Sequence, residues 1–201
     1  MQIVASVDDC SSWDLQLAEL FDKHNIPTIF FWPLNRIDTS YTLTLDECQS
    51  IAKRFEIGSH TLTHALLTRI PIDEAEREIR LSKLALEGIF GQEIKSFCYP
   101  RGYGNDRLIE AVRKSGYTYA RNTSVGFAGE PKEPLWSNTA VHLGYQRKEY
   151  NGIYWPEYAR KLWEINKDKE GVFHIWMHGE ELNKVQDGFK EVEKLLEDIS
   201  S

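Results

Sequence analysis

Two adjacent carboxylates, Asp8 and Asp9, stand in the stretch "SVDDC", straight after the apolar run "QIVASV". Like charges side by side repel, and a buried core gains nothing from them, so the pair points to chemistry. Neighbouring side chains of an extended strand face opposite ways. One carboxylate can therefore ligate a metal ion while the other stays free to take a proton from water. For the dipeptide alone, a helix cap or turn is the plain structural alternative. A second signal is "SHTLTH", which sets His60 and His64 four residues apart behind the strand-like "FEIGS". A helical turn there would put both imidazoles on one face, where they could meet a single ion. One Asp and two His would make a three-ligand site, which leaves a catalytic zinc one position for water and suits it to hydrolysis.

Two further stretches carry candidates. In "FHIWMHGEE", strand alternation puts His174, Trp176 and His178 on one face, with His178 at the C-terminal end, where it could protonate a leaving amine. His174, deeper in the strand, reads as a hydrogen-bonded core residue. In "FCYPRGYGND", a strand runs into a Pro- and Gly-bearing turn. Its backbone N–H groups could face an oxyanion, and Arg101 could orient a carboxylate such as Asp8.

These residues can meet only if the elements that carry them share one end of a sheet. Runs of β-branched and aromatic residues predict strands at 3–7, 28–32, 56–59, 96–99, 117–121, 141–143 and 172–177. Apolar residues at helical spacing predict helices over 14–23, from Thr44 to about 54, and over 73–90, 107–115, 156–165 and 182–199. Thr44 and Glu47 have the spacing of a capping box, Asn105 suits an N-cap, and Gly91 and Gly116 suit helix stops. Seven strands alternating with helices predict an α/β fold with a mainly parallel sheet, whose strand-to-helix loops converge on one end. The Gly- and Pro-rich segment 123–134 reads as a loop, either bordering a substrate groove or simply solvated.

A chain of 201 residues fits one domain spanning 1–201. Its net charge of −7 argues against nucleic acid as the main partner, which calls for a concentrated positive surface. Cys10, Cys48 and Cys98 are too few and scattered for a disulfide framework and show no CxxC spacing, so a reducing compartment is expected. The opening "MQIVASVDDC" has neither a basic segment nor a long apolar stretch, which sets the expectation of a cytoplasmic protein without membrane insertion. Oligomeric state is left open.

In order and spacing, from residue 2 to about 182, these motifs resemble the polysaccharide deacetylase family, the NodB-homology carbohydrate esterases. "SVDDC" is similar to its first motif, "SHTLTH" to its His-x-x-x-His motif, "YPRGYG" to its third and "HIWMH" to its final His-bearing strand; "KHNIPTIFFW" and "RKSGYTYAR" are also similar. The resemblance implies a distorted (β/α) barrel, often of seven strands. It also implies that Asp9, His60 and His64 hold one divalent metal ion, with zinc the first choice. Asp8 is then the general base and His178 the general acid in deacetylation of an N-acetylated amino-sugar or glycan. Tyr99, Pro100, Tyr103, Trp136 and Trp176 are the residues expected to contact the sugar.

The chain departs from the family at three places. Cys98 stands where many members have the third-motif Arg, and Arg101 stands where an aromatic is usual. The fourth, "DxxDW"-like motif is not evident, and "PLWSN" with Trp136 is a positional candidate only. Cys10 replaces the usual Gly of the first motif and reads as a small packed residue, with ligation of the metal as the alternative. His24 is assigned to a helix end and His142 to a strand. Two rival readings follow: hydrolysis of another C–N bond, such as a sugar formamide or a cyclic amide, and a non-catalytic glycan-binding protein on the same fold.

Overall fold

The computed structural model describes residues 1–200. Seven strands form one parallel sheet in the order β5-β4-β3-β2-β1-β7-β6. They are β1 (Gln2–Asp8), β2 (Thr28–Trp32), β3 (Glu56–Ser59), β4 (Ser96–Cys98), β5 (Tyr119–Arg121), β6 (Val141–His142) and β7 (Val172–His178). The predicted strands are all present, with ends shifted by at most two residues. Helices α1 (Asp14–Lys23), α2 (Leu45–Ala52), α3 (Ile72–Phe90), α4 (Asp106–Lys114) and α5 (Trp155–Asn166) follow the apolar spacing. The Thr44–Glu47 capping box and the Asn105 cap both form, and Gly91 takes the left-handed conformation that ends α3, with φ 65°. Among the described residues, no helix is long and apolar enough to cross a membrane.

The predicted helix 182–199 is instead two helices, α6 (Gly179–Lys184) and α7 (Gly188–Ile199). Val185 is extended and Asp187 left-handed at φ 56°, while a Cβ on Gly188 would sit 2.3 Å from the Leu182 carbonyl oxygen. The apolar repeat that suggests one helix bridges the break because both pieces bury the same side.

Strand alternation sorts the two faces of the curled sheet. Ala5, Val7, Phe30, Trp32, Ile57, Phe97, Ala120, Phe173, Ile175 and Met177 point outward and form the hydrophobic core beneath the helices. The alternate residues point into the barrel, and many are polar: Ser6, Asp8, Ser96, Arg121, His174 and His178. The interior of this barrel is thus a largely polar column that Phe31 and Trp176 also face, and the main apolar core lies outside it.

The two sheet edges are brought together by one segment. Ser137 forms a parallel bridge to Arg121 of β5, and a few residues later Ala140 and Leu143 donate backbone hydrogen bonds, each 2.8 Å, to His174 and Trp176 of β7. Gly126 and Phe127 donate to the Ala140 and Thr139 carbonyls, and Gly129 bridges Val172. The 123–134 loop therefore folds over this seam. With Phe127, Gly129 and Pro131 it borders a cavity of about 730 Å³ at the N-terminal end of the strands, away from the end that carries Asp8 and His178.

Asp14, at the start of α1, is fully buried and receives hydrogen bonds from Ser11 Oγ (2.7 Å) and Trp32 Nε1 (3.1 Å). Burial pushes its carboxyl up to about 7, against the lowering effect of those two bonds. A carboxyl whose folded pKa lies above its unfolded value holds its proton more tightly when folded, so the fold loses stability as pH rises from the unfolded value through about 7. Asp14→Asn keeps one acceptor oxygen of the two, at every pH, and removes this titration. In urea unfolding, the stability difference of wild type over variant should fall by roughly 4 kcal/mol between about pH 4 and pH 8; a difference independent of pH would refute the assignment.

Candidate metal centre and active site

β1 ends on Asp8, whose side chain turns into the barrel, and the chain then leaves the strand through two residues of positive φ, Asp9 (81°) and Cys10 (54°). That reversal aims Asp9 across the strand ends toward the loop after β3. There His60 and His64 come together with ring centroids 4.7 Å apart and planes near perpendicular. The loop is not helical. Thr61 (φ 71°) and His64 (φ 59°) are both left-handed, so the four-residue spacing works through a strained loop rather than a helical turn.

Asp9 Oδ1 lies 3.8 Å from His60 Nε2 and 3.5 Å from His64 Nε2, is buried, and has no hydrogen-bond donor. A buried carboxylate oxygen left unpaired between two imidazole nitrogens fits a cation. The imidazoles suit the role. His60 Nδ1 donates to the Cys98 carbonyl at 2.7 Å, leaving the Nε2 lone pair facing Asp9. Burial holds His60 below its ordinary value, and burial together with the His60 ring holds His64 down to about 4, so both are neutral donors. Arg36 Nη1 sits 3.3 Å from Asp9 Oδ2 at the mouth of the site.

Asp8 is 2% exposed, and its Oδ1 receives a hydrogen bond from Arg121 Nη2, a residue 0% exposed. Burial alone would raise the Asp8 carboxyl; the Arg121 guanidinium, then His60 and His178, outweigh it and hold Asp8 below its usual range. The orienting Arg is therefore not Arg101, which is exposed in the turn after β4. Of the turn amides, Gly102 and Tyr103 N–H donate to the Tyr99 and Pro100 carbonyls, while the Arg101 N–H has no backbone partner among the described residues and is the turn amide left for an oxyanion. The inward position on β4 belongs to Cys98, and Cys98 pairs in register with Arg121 of β5. The guanidinium thus arrives from the neighbouring strand. An Arg in a predicted strand, on the alternation phase of Tyr119, is the signal that could have revealed it.

His178, across the site, has Nε2 3.8 Å from Asp9 Oδ2 and Nδ1 2.9 Å from Glu181 Oε2. Burial disfavours its charge, yet Glu181, Asp8 and Asp9 raise its pKa to about 9. His142 Nε2 lies 2.9 Å from the same Glu181 oxygen, off the line of a full hydrogen bond, and the His142 ring stacks on Trp176 at 3.6 Å. Glu181 was not a sequence candidate. It follows His178 by three residues, one turn into α6, and gives the imidazole a carboxylate partner.

The expected sugar contacts divide. Tyr99 and Trp176 are buried, Pro100 is buried in the turn, and Tyr99 Oη donates to the Leu135 carbonyl. These three hold the wall in place and present no face to a sugar. Tyr103 is exposed, and half-buried Trp136 packs against Tyr99. The cavity over the site, about 420 Å³, is walled instead by the 36–42 connection, with Arg36, Thr39, Tyr41 and Thr42, and by Glu180, Glu181 and Lys184 of α6. Cys10 is buried with Sγ 3.7 Å from Cys48 Sγ and packs away from the metal ligands, in line with its structural reading. His24 ends α1 and His142 lies in β6, as assigned.

Removing the Arg121 charge strands a buried carboxylate, whereas Arg101 faces solvent. Arg121→Met should lower unfolding free energy by about 3–5 kcal/mol, and Arg101→Ala by no more than about 0.5 kcal/mol. Equal effects in denaturant titrations would contradict the pairing.

The model of the family described as polysaccharide deacetylase matches residues 2–120. The Bacillus subtilis (strain 168) protein YxkH, assigned to the polysaccharide deacetylases by name alone, is 26% identical over 107 residues, covering 53% of this chain; the chain spans only 38% of that relative's length. Among solved structures, the Streptococcus pyogenes deacetylase PplD, in complex with acetate, superposes with a TM-score of 0.63 at 19% identity, over 67% of this chain and 62% of that one. A Mycobacterium smegmatis protein assigned to the same group superposes over 100% of this chain and 84% of its own, with a TM-score of 0.72 at 16% identity. The Bacillus anthracis pseudoenzyme BA3943 also shares the fold, with a TM-score of 0.61 at 12% identity over 98% and 60% of the two chains. With the family model covering more than half of the sequence, this chain belongs to the polysaccharide deacetylase family.

Proposed function

We propose that the chain is a metal-dependent hydrolase that removes N-acetyl groups from an amino-sugar or glycan. The observation that carries this reading is the unpaired, buried Asp9 Oδ1 set between two neutral imidazoles, with a charged Asp8 beside it and His178 opposite. Asp9, His60 and His64 would hold a divalent ion, zinc first among those that suit this donor set. Such an ion would supply a Lewis acid that polarises the acetyl carbonyl and acidifies the attacking water.

Within that frame, Asp8 is kept ionised by Arg121 and accepts the water proton through a carboxylate already oriented on one oxygen. Glu181 holds His178 with Nε2 toward the site, where it donates a proton to the leaving amine. Arg36 fixes the outer oxygen of Asp9 from the rim. The charged partners that Arg121 gives Asp8 and Glu181 gives His178 support catalysis over a non-catalytic glycan binder, despite the missing third-motif Arg and fourth motif.

With zinc-loaded protein and N-acetylated chito-oligosaccharides, acetate should appear, and Asp8→Asn should lower kcat by about 10²–10⁴-fold while zinc still binds. Formate from a formylated sugar, without acetate, would move the reading to deformylation. Because Glu181 helps to hold the proton on His178, Glu181→Gln should shift the alkaline limb of kcat/KM to lower pH; an unmoved limb would remove His178 as the acid.

A further inference from the structure

We infer that Ser6 and His174 are positioning residues for the Arg121–Asp8 pair, forming a buried hydrogen-bonded chain that runs along the barrel interior from its N-terminal end to the base. The inference rests on the proposed hydrolase reading for its catalytic meaning and on geometry for its existence.

Arg121 makes three polar contacts, each from a different nitrogen. Nη2 donates to Asp8 Oδ1, Nη1 to the Asn122 carbonyl at 3.3 Å, and Nε to Ser6 Oγ at 3.0 Å. Its Cζ lies over the rings of Phe31 (5.2 Å to the ring centroid) and Trp176 (4.7 Å). These rings pack around the guanidinium, and the Ser6 contact on Nε opposes its swinging away from Asp8. Asp8 Oδ1 is thereby fixed, and among the described residues Oδ2 has only a long hydrogen-bond contact, from Cys98 Sγ at 3.7 Å.

The direction of the chain follows from proton counting. Ser6 Oγ accepts from Arg121 Nε–H and lies 2.9 Å from His174 Nε2; among the described residues this nitrogen is its only other side-chain partner. The hydroxyl proton therefore goes to the Nε2 lone pair, which puts the imidazole proton on Nδ1 and donates it to Tyr119 Oη at 2.9 Å. The opposite tautomer would aim two N–H groups at Ser6 and leave the serine proton unpaired in a dry interior. His174, 4% exposed, is neutral, since burial and then Arg121 push it down to about 3. His174 and Tyr119 also line the cavity at the far end of the barrel, so the chain spans the column from that cavity to the base.

The test uses zinc-loaded protein with an N-acetylated chito-oligosaccharide. Ser6→Ala and His174→Leu should each lower kcat by about 10- to 100-fold with KM and zinc affinity within about twofold, as expected when a base is misplaced. The double variant should lose no more than either single one, because both break the same chain. Ser6→Thr keeps the hydroxyl and His174→Gln keeps an acceptor for it, and both should recover most of the loss. Unchanged kcat in Ser6→Ala and His174→Leu, or equal losses in the conservative variants, would overturn the inference. A second readout needs no turnover: the Arg121 Nε–H proton, observed by nitrogen-edited NMR, should exchange slowly in wild type and quickly in Ser6→Ala. If wild type releases no acetate from any acetylated sugar, the hydrolase reading fails, and this exchange difference alone upholds or overturns the chain.

Discussion

The buried ion pair between Asp8 and Arg121 constrains everything around it. Two charges that are almost wholly removed from water, at 2% and 0% exposure, are tolerable only when each is closely matched and every remaining polar atom finds a partner. Ser6, the Asn122 carbonyl and two aromatic faces complete the guanidinium's surroundings. This requirement explains why the barrel interior is polar while the apolar core sits between sheet and helices. It also explains how a carboxylate remains charged in a place where burial alone would neutralise it.

Much of the architecture is legible in the residues. Period-two runs rich in aromatic and β-branched side chains mark all seven strands because each must bury an outward face, and helix ends are marked by Thr44, Asn105 and Gly91 through the chemistry of capping. The break between α6 and α7 is less legible, since an apolar stripe continues across a kink made by backbone conformation at Asp187 and Gly188. Periodicity reports which side is buried, not whether the backbone between is continuous.

The site was readable where chemistry and sequence proximity coincide and obscure where they part. Asp8, Asp9, His60, His64 and His178 reach one strand end as their order suggests, though the His pair meets through left-handed residues and not a helix. Arg121 and Glu181 were hidden for a different reason. The geometric demand, a cation beside Asp8 and a carboxylate beside His178, can be met from any element that reaches the same point. Here cross-strand register moves the first from β4 to β5, and the second rides the turn directly behind His178. The wall of the cavity over the site was obscure because the 36–42 connection carries no motif and gains its place only by folding over the strand ends.

The segment that touches β5 at Ser137 and β7 from Ala140 onward has a mechanical consequence. It acts as a clasp: releasing it would free two unpaired strand margins at once and let solvent flood the charged axis, converting a matched salt pair into two hydrated ions. Local breathing at that clasp and the integrity of the Asp8–Arg121 pair are therefore linked, through the Arg121 strand that Ser137 bridges.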